Sequence, residues 1–377
     1  MLIYFITVLL IFLVSILNIK INIVNKRMLS KKKELIFKDN RNLLIWIFCL
    51  SLIFLLGFRN DGGADDIAYQ LFYESGYGST AIYGILTGKE PVFLLLAKLA
   101  RLLGGNYKLL FLLYAIFTSL FIGMAIKNFS ISKRDTMVFM LGFFAVVFCV
   151  IMTVMRQALA MSIIFYYYSI KNPTKKWTII LFCLAFLCHY ASVIVLGIEI
   201  VRKIVSNRGW INSYLKILIP IFCIFLGYII NFSAIFQWTI KITGMYSYMN
   251  SIENYTGGNN VGIFTFMLFV GYLIKIWLNR GYKTYAMAPQ FVVIEELQMI
   301  YFSLVFLTEN LRWGNRVQIF YIIFVPFVFI ELLNIVRLKQ KTGIYIMTGI
   351  MLIVCFVYIL TQNIDILEAK RSLMFWK

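Results

Sequence analysis

One histidine, 16 acidic residues and six cysteines with no Cys-x-x-Cys pair leave this chain of 377 residues poor in the side chains that usually build polar active sites. A solitary histidine leaves a His-based metal centre without its usual partners, so no metal and no cofactor is expected. Cys49, Cys149, Cys183, Cys188, Cys223 and Cys355 all fall in apolar segments, where cysteine reads as a small core hydrophobe. Charge is scarce as well: 14% of residues are charged and 62% hydrophobic, against roughly 25% and 45–50% in a soluble domain. Composition therefore excludes a soluble enzyme, a secreted disulfide scaffold and a disordered tail. No repeat, heptad pattern or low-complexity linker divides the chain, which reads as one polytopic domain over 1–377.

What the sequence has in abundance is membrane-length apolar segments, in keeping with a mean hydropathy of +0.86. A spanning helix needs about 20 apolar residues. Such runs lie at 2–19, 43–58, 107–126, 136–155, 157–170, 177–189, 190–201, 212–232, 262–278, 290–308, 316–336 and 343–361. The first lacks a positive flank and a cleavage site, so it reads as a retained helix and not a signal peptide. The expectation is an all-α integral membrane bundle of about 12 helices, within a range of 10–13. The pair 177–189 and 190–201 is short enough to form a re-entrant hairpin instead.

A surplus of 36 Lys+Arg over 16 Asp+Glu would suggest nucleic acid in a soluble protein. Here it marks orientation. Lys20 to Arg41, Lys127 to Arg134, Lys171 to Lys176, Arg202 to Arg208, Arg280 to Lys283 and Arg337 to Lys341 bracket six alternate loops, which hold 22 of the 36 basic residues. By the positive-inside rule these loops are cytoplasmic and both termini lie outside. The chain is then a multi-pass protein of a plasma membrane whose charge implies no nucleic-acid partner.

Two outer loops are long, 59–106 and 233–261, and long loops in compact proteins are usually functional or disordered. Within the first, Pro91 to Leu103 is too short to span comfortably and places Lys98 and Arg101 on one helical face. It reads as a helix lying in the outer interface, with an ordinary spanning helix as the alternative.

Ionisable groups at membrane depth cost about 2.5–3.5 kcal/mol at a helix centre, which makes each a functional candidate. Outside the cytoplasmic loops stand Arg59, Arg156, Arg312 and Arg316, with Asp61, Asp65, Asp66, Glu74, Glu90, Glu253 and Glu309. Arg59 opens a segment in which Gly62 and Gly63 permit close backbone approach, and Asp65 and Asp66 offer acceptors, a base or a cap for the helix bearing Tyr69. Its spacing does not match a calcium loop, which also needs a distal Glu. Arg156-Gln157, flanked by Met155 and Leu159, needs an anionic partner, either an Asp of the first loop or a ligand phosphate. Arg312 and Arg316, four apart, could clamp a diphosphate bidentately, unless Glu309 pairs one of them. His189 sits where two short runs meet, as a packing residue or as a proton-transfer group. Glu199, Glu295, Glu296 and Glu331 read as caps or salt-bridge partners before they read as a proton relay.

In order, these elements resemble the EpsG family of bacterial polysaccharide polymerases, functional relatives of the O-antigen polymerase Wzy. The family's Arg, Gly-x-Asp and following Tyr match Arg59, Gly63-Ala64-Asp65 and Tyr69; its Arg-Gln with small residues matches Arg156, Gln157, Ala158 and Ala160. Its His-x-Ser is met by His189 with Ser192 one residue further on, and its late Arg before an aromatic helix by Arg316, Tyr321 and Pro326. The resemblance runs from about 43 to 330.

It implies glycosyl transfer on the outer face of a bacterial plasma membrane, making exopolysaccharide, capsule or O-antigen without a metal. Donor and acceptor would be oligosaccharide units on undecaprenyl diphosphate in the lipid bilayer, with a chain-length regulator as a further partner. Arg156, Arg312 and Arg316 would hold the diphosphates. Arg59, Gly63, Asp66, Tyr69 and Gln157 would organise the substrate side, and Asp65 or His189 would be the base. Sugars would stack on outer aromatics such as Tyr69, Phe72, Tyr73 and Tyr246. A flippase or transporter of the same glycans is the alternative, although no two related halves appear. A membrane acyltransferase is a third class.

Overall fold

The structure, a computed structural model, describes residues 41–59, 66–75, 90–129, 131–207, 212–230, 263–280, 289–308 and 314–339, with Gly349 and Val354. The expected runs 2–19 and, apart from Gly349 and Val354, 343–361, together with the loop 233–261, Gly63, Asp65 and Arg312, lie outside the described residues.

Among the described residues every regular element is a helix, as the composition leads one to expect. They are α1 Arg41–Gly57, α2 Asp66–Glu74, α3 Pro91–Leu102, α4 Tyr107–Asn128, α5 Lys133–Val146, α6 Phe148–Thr153, α7 Met155–Ser169, α8 Lys175–Cys188, α9 Ser192–Asn207, α10 Leu215–Ile229, α11 Ile263–Arg280, α12 Pro289–Leu307, α13 Gly314–Ile322 and α14 Pro326–Lys339. Ten of the twelve apolar runs fall on them. Three stretches are long and apolar enough to cross a membrane, Tyr107–Asn128, Gln290–Leu307 and Arg316–Asn334. Arg41–Gly57, Leu215–Ile229 and Phe264–Leu278 are shorter apolar helices.

The described helices form two compact units, one ending at Tyr190 and the other beginning at Ala191. In the first, α4 is the central post, packed by α1, α2, α3 and α7. Arg41, in the first turn of α1, donates to the carbonyls of Ile126 and Lys127 at 2.8 and 2.9 Å, so α1 runs antiparallel to α4 and caps its C-terminal end. Asn128 reaches Ser169 at 3.2 Å, so α7 runs alongside α4 in the same sense. Helices in lipid gain little from apolar burial against one another and rely on close packing. Here rings supply it: Phe48 lies edge-on to Phe143 and Phe144, and Phe139 stacks on Phe165. The run 136–155 is two helices, bent at Val147, and the chain reverses at Val154 with no loop between α6 and α7. That reversal puts Arg156 in the first turn of α7.

Helix α3 has Pro91 at its first position, where a missing N–H costs nothing. It ends at Gly104, whose φ of +69° suits glycine, with the Gly105 amide returning to the Ala100 carbonyl at 3.0 Å. Asn106 then caps α4 through the Lys108 amide at 3.0 Å. One face of α3 buries Phe93, Leu94, Ala97 and Ala100, while Leu95, Leu99 and Leu102 are exposed beside Lys98.

The second unit is held by polar contacts inside apolar helices. Pro220 has no N–H for the Lys216 carbonyl, and the Tyr272 hydroxyl donates to that carbonyl instead, at 3.0 Å. Pro326 likewise interrupts the 316–336 run, and the Phe324 carbonyl at the break accepts from Gln298 at 3.1 Å. A Cβ on Gly227 would overlap the Phe306 carbonyl, so only glycine lets α10 lie against α12 there.

The basic residues of this unit differ from expectation. The sequence pattern puts Arg202 and Lys203 in a loop, yet α9 continues through them to Asn207. Arg202 is buried there because Glu199, at 2.7 Å, and Glu296 neutralise it. Lys216 pairs with Glu295, and Lys275, fully buried, bonds Glu331, Glu295 and Gln298. The four glutamates are thus salt-bridged, as expected, although two of their partners are lysines of the spans themselves. Breaking a buried pair strands its partner's charge at a cost of about 3–5 kcal/mol. Lys275→Met should therefore lower thermal stability in detergent by roughly that amount. Lys275→Met combined with Glu331→Leu should recover much of the loss.

Candidate active site

Beyond the last turn of α1 the chain turns Arg59 inward, where it is buried. Its Nη2 donates to Asp66 Oδ1 at 2.6 Å, and the guanidinium lies 4.8 Å from the centre of the Phe111 ring. Asp66 is the first residue of α2, where a carboxylate also suits the helix dipole, and it is fully buried. This ion pair pins together the two ends of the segment carrying Gly63 and Asp65.

One turn along α2 from Asp66, Tyr69 packs against Phe93 and Phe111, with ring centres 5.8 and 6.5 Å away. Its hydroxyl accepts from Arg156 Nε at 3.3 Å, and the Arg156 guanidinium lies over its ring at 5.1 Å and over Phe93 at 5.7 Å. Tyr69 and Tyr73 were expected to offer open faces to sugars; both are buried, with Tyr73 bonded to the Gly105 carbonyl at 2.6 Å.

Arg156 finds its anionic partner in the segment 59–106, as one of the two expectations has it, but it is Glu90 and not an Asp. Arg156 Nη1 donates to Glu90 Oε2, and Glu90 Oε1 lies 3.0 Å from His189 Nδ1. Glu90 occupies the N-cap position of α3, Arg156 the first turn of α7 and His189 the C-cap position of α8. Burial raises the Glu90 carboxyl, but the His189 hydrogen bond and the Arg156 charge outweigh it and hold the group below its ordinary value. Glu90 and His189 are 5% and 8% exposed, whereas the Arg156 side chain keeps 19% of its surface open. Tyr114 of α4 is within electrostatic reach of Glu90, Arg156, Tyr69 and Cys188, and its buried hydroxyl has no partner among the described residues.

Three stretches that the sequence presents far apart, 59–69 with Arg59, Asp66 and Tyr69, then Arg156, then His189, thus meet at one end of the first unit. Gln157 is buried beside them in α7. Arg316 is exposed in the first turn of α13, in the second unit. Glu90 stands among the candidate ionisable groups of the sequence but without a role, and Tyr114 is not among them. For Glu90 a signal existed, an acid immediately before a helix-initiating proline; for Tyr114, one tyrosine in an apolar run, there was none.

No group of three or more His, Cys, Asp or Glu side chains able to hold a metal occurs among the described residues. Fold and site together define a helical membrane protein whose buried carboxylate, arginines and imidazole converge at one helix-bundle end. Residues 42–372 match the sequence model of the EpsG family, and the chain belongs to that family of Wzy-like polysaccharide polymerases. No curated protein and no solved structure matches it.

Because the native Glu90 carboxyl sits below its unfolded value, its stabilisation is complete above the ordinary carboxylate range. It is lost as pH falls through the lowered native value. The thermal stability gap between wild type and Glu90→Gln should accordingly be widest near neutrality and close on acidification below about pH 4.

Proposed function

We propose that this protein joins oligosaccharide repeat units carried on undecaprenyl diphosphate into a polysaccharide at the outer face of the plasma membrane. Its membership of a polysaccharide polymerase family gives the reaction class. The observation that carries the finer reading is the gathering of Arg59, Tyr69, Glu90, Arg156 and His189 at the end of the first unit opposite its basic loops. Arg41, Lys127 and Lys175 mark the other end, where α1 and α8 begin and α4 finishes. With positive loops inside, the cluster lies outside.

In the reaction the anomeric carbon of the growing chain is attacked by a hydroxyl of the incoming unit, and the lipid diphosphate departs. Negative charge grows on the leaving group, and cations fixed in place stabilise it best. Arg156, oriented by Glu90 and Tyr69 yet partly open, supplies one such cation beside the positive end of the α7 dipole. By the family resemblance Arg312 and Arg316 are further candidates for binding diphosphate, Arg316 lying in the first turn of α13 in the second unit. The Arg59–Asp66 pair fixes where residue 59 and the start of α2 stand on the substrate side. Tyr69 acts through Arg156 and not as a stacking platform.

Arg156→Ala and Arg316→Ala should each stop polymer formation in cells while lipid-linked single units still accumulate on the outer leaflet. Arg316 is exposed, so its loss should leave folding intact, as expression level and thermal stability would check. Full-length polymer from both variants would sink the assignment. Single units retained on the inner leaflet of a deletion strain would instead favour a flippase.

A further inference from the structure

The shared carboxylate at the centre of the cluster has a consequence for the chemistry of its imidazole neighbour. An imidazole has two nitrogens, and the hydrogen bond made by one decides what the other can do. Arg156 donates to Glu90 Oε2, and that ion pair calls for Glu90 as a carboxylate. A carboxylate only accepts, so Oε1, 3.0 Å from His189 Nδ1, requires a proton on that nitrogen. The neutral ring then has its basic lone pair on Nε2.

We propose that Glu90 is a positioning residue that fixes His189 in its Nδ1–H tautomer, so that Nε2 is the base for the acceptor hydroxyl. Resting on the polymerase reading for its chemistry, the step balances as follows. The acceptor oxygen forms a bond to the anomeric carbon as the bond from that carbon to the diphosphate oxygen breaks. The acceptor's proton passes to Nε2, giving an imidazolium stabilised by the Glu90 carboxylate. The lipid diphosphate leaves with the electron pair of the broken bond and is met by arginine. The ring afterwards returns its proton to solvent. Asp66, the other described carboxylate of the first-loop segment found in the cluster, is fully buried against Arg59 and committed to that pair.

The chain's single histidine makes the proposal directly readable. Full-length protein labelled with nitrogen-15 histidine shows one imidazole, whose two nitrogen shifts report its tautomer without reference to activity. Wild type should give the neutral Nδ1–H form at the pH where polymer is made. In Glu90→Gln the amide oxygen turns to Arg156 and the amide NH2 to Nδ1, which should move the ring to the Nε2–H form. The same variant should lower the polymerisation rate by about 100-fold or more, the usual contribution of a positioned base. Glu90→Asp should recover part of both signals. His189→Ala should lose rate similarly, and adding Glu90→Gln to it should lower the rate much less than Glu90→Gln lowers wild type.

An imidazolium or an Nε2–H ring in wild type at working pH overturns the proposal, whatever the protein's activity. So does a tautomer switch in Glu90→Gln with an unchanged rate, which would make the contact structural only. If instead wild type shows the expected tautomer but makes no polymer from lipid-linked units, the polymerase reading fails and with it His189's catalytic role, while the positioning contact stands.

Discussion

A carboxylate that cannot reach water must be matched by charge and hydrogen bonds where it stands, and Glu90 carries that constraint for the first unit. Its two oxygens are answered by Arg156 from α7 and His189 from the end of α8, while Glu90 itself begins α3. Three segments distant in sequence are thereby tied at one point, and each must arrive in register for the charge to be tolerated. Tyr69 completes the enclosure of Arg156 with its hydroxyl and its ring. A buried ion pair is weak support for stability by itself, since desolvation offsets most of the attraction. What it provides here is geometry, a guanidinium and an imidazole held in fixed orientation at the end of a helix bundle.

Among the described residues the second unit meets the same constraint with enclosed pairs. Lys275 is wholly enclosed by Glu295, Glu331 and Gln298, and Arg202 by Glu199 and Glu296. These pairs lie inside apolar helices, where unmatched polar groups are costly. The breaks at Pro220 and Pro326 follow the same logic, with Tyr272 and Gln298 donating to carbonyls near each break. Apolar packing shapes the helices, and a few paired polar groups tie particular helices together.

Much of this was legible in the chain. Long apolar runs and periodic basic loops announce helices, because lipid leaves the backbone no alternative but to satisfy itself internally. Arg59, Tyr69, Arg156 and His189 stood out as polar residues in places that penalise them. Other features depended on tertiary partners and did not show in any window of sequence. Arg202 looked like a loop charge because, beyond its local partner Glu199, the second carboxylate that lets it be buried, Glu296, lies 94 residues away. Glu90 looked like an ordinary loop acid because Arg156 and His189 lie 66 and 99 residues from it. Tyr69 and Tyr73 looked like sugar platforms because nothing local shows that α3 and α4 cover them. Pairing across long separations is what a single sequence hides.

The central claim is that an outward-facing arginine and imidazole cluster joins lipid-linked glycans. Its most direct measurement uses purified wild-type protein in liposomes, supplied with single repeat units on undecaprenyl diphosphate. The account predicts a ladder of lengthening lipid-linked glycans, with one undecaprenyl diphosphate released for each unit added and no divalent metal required. Movement of intact units across the bilayer with no lengthening and no released diphosphate would contradict it.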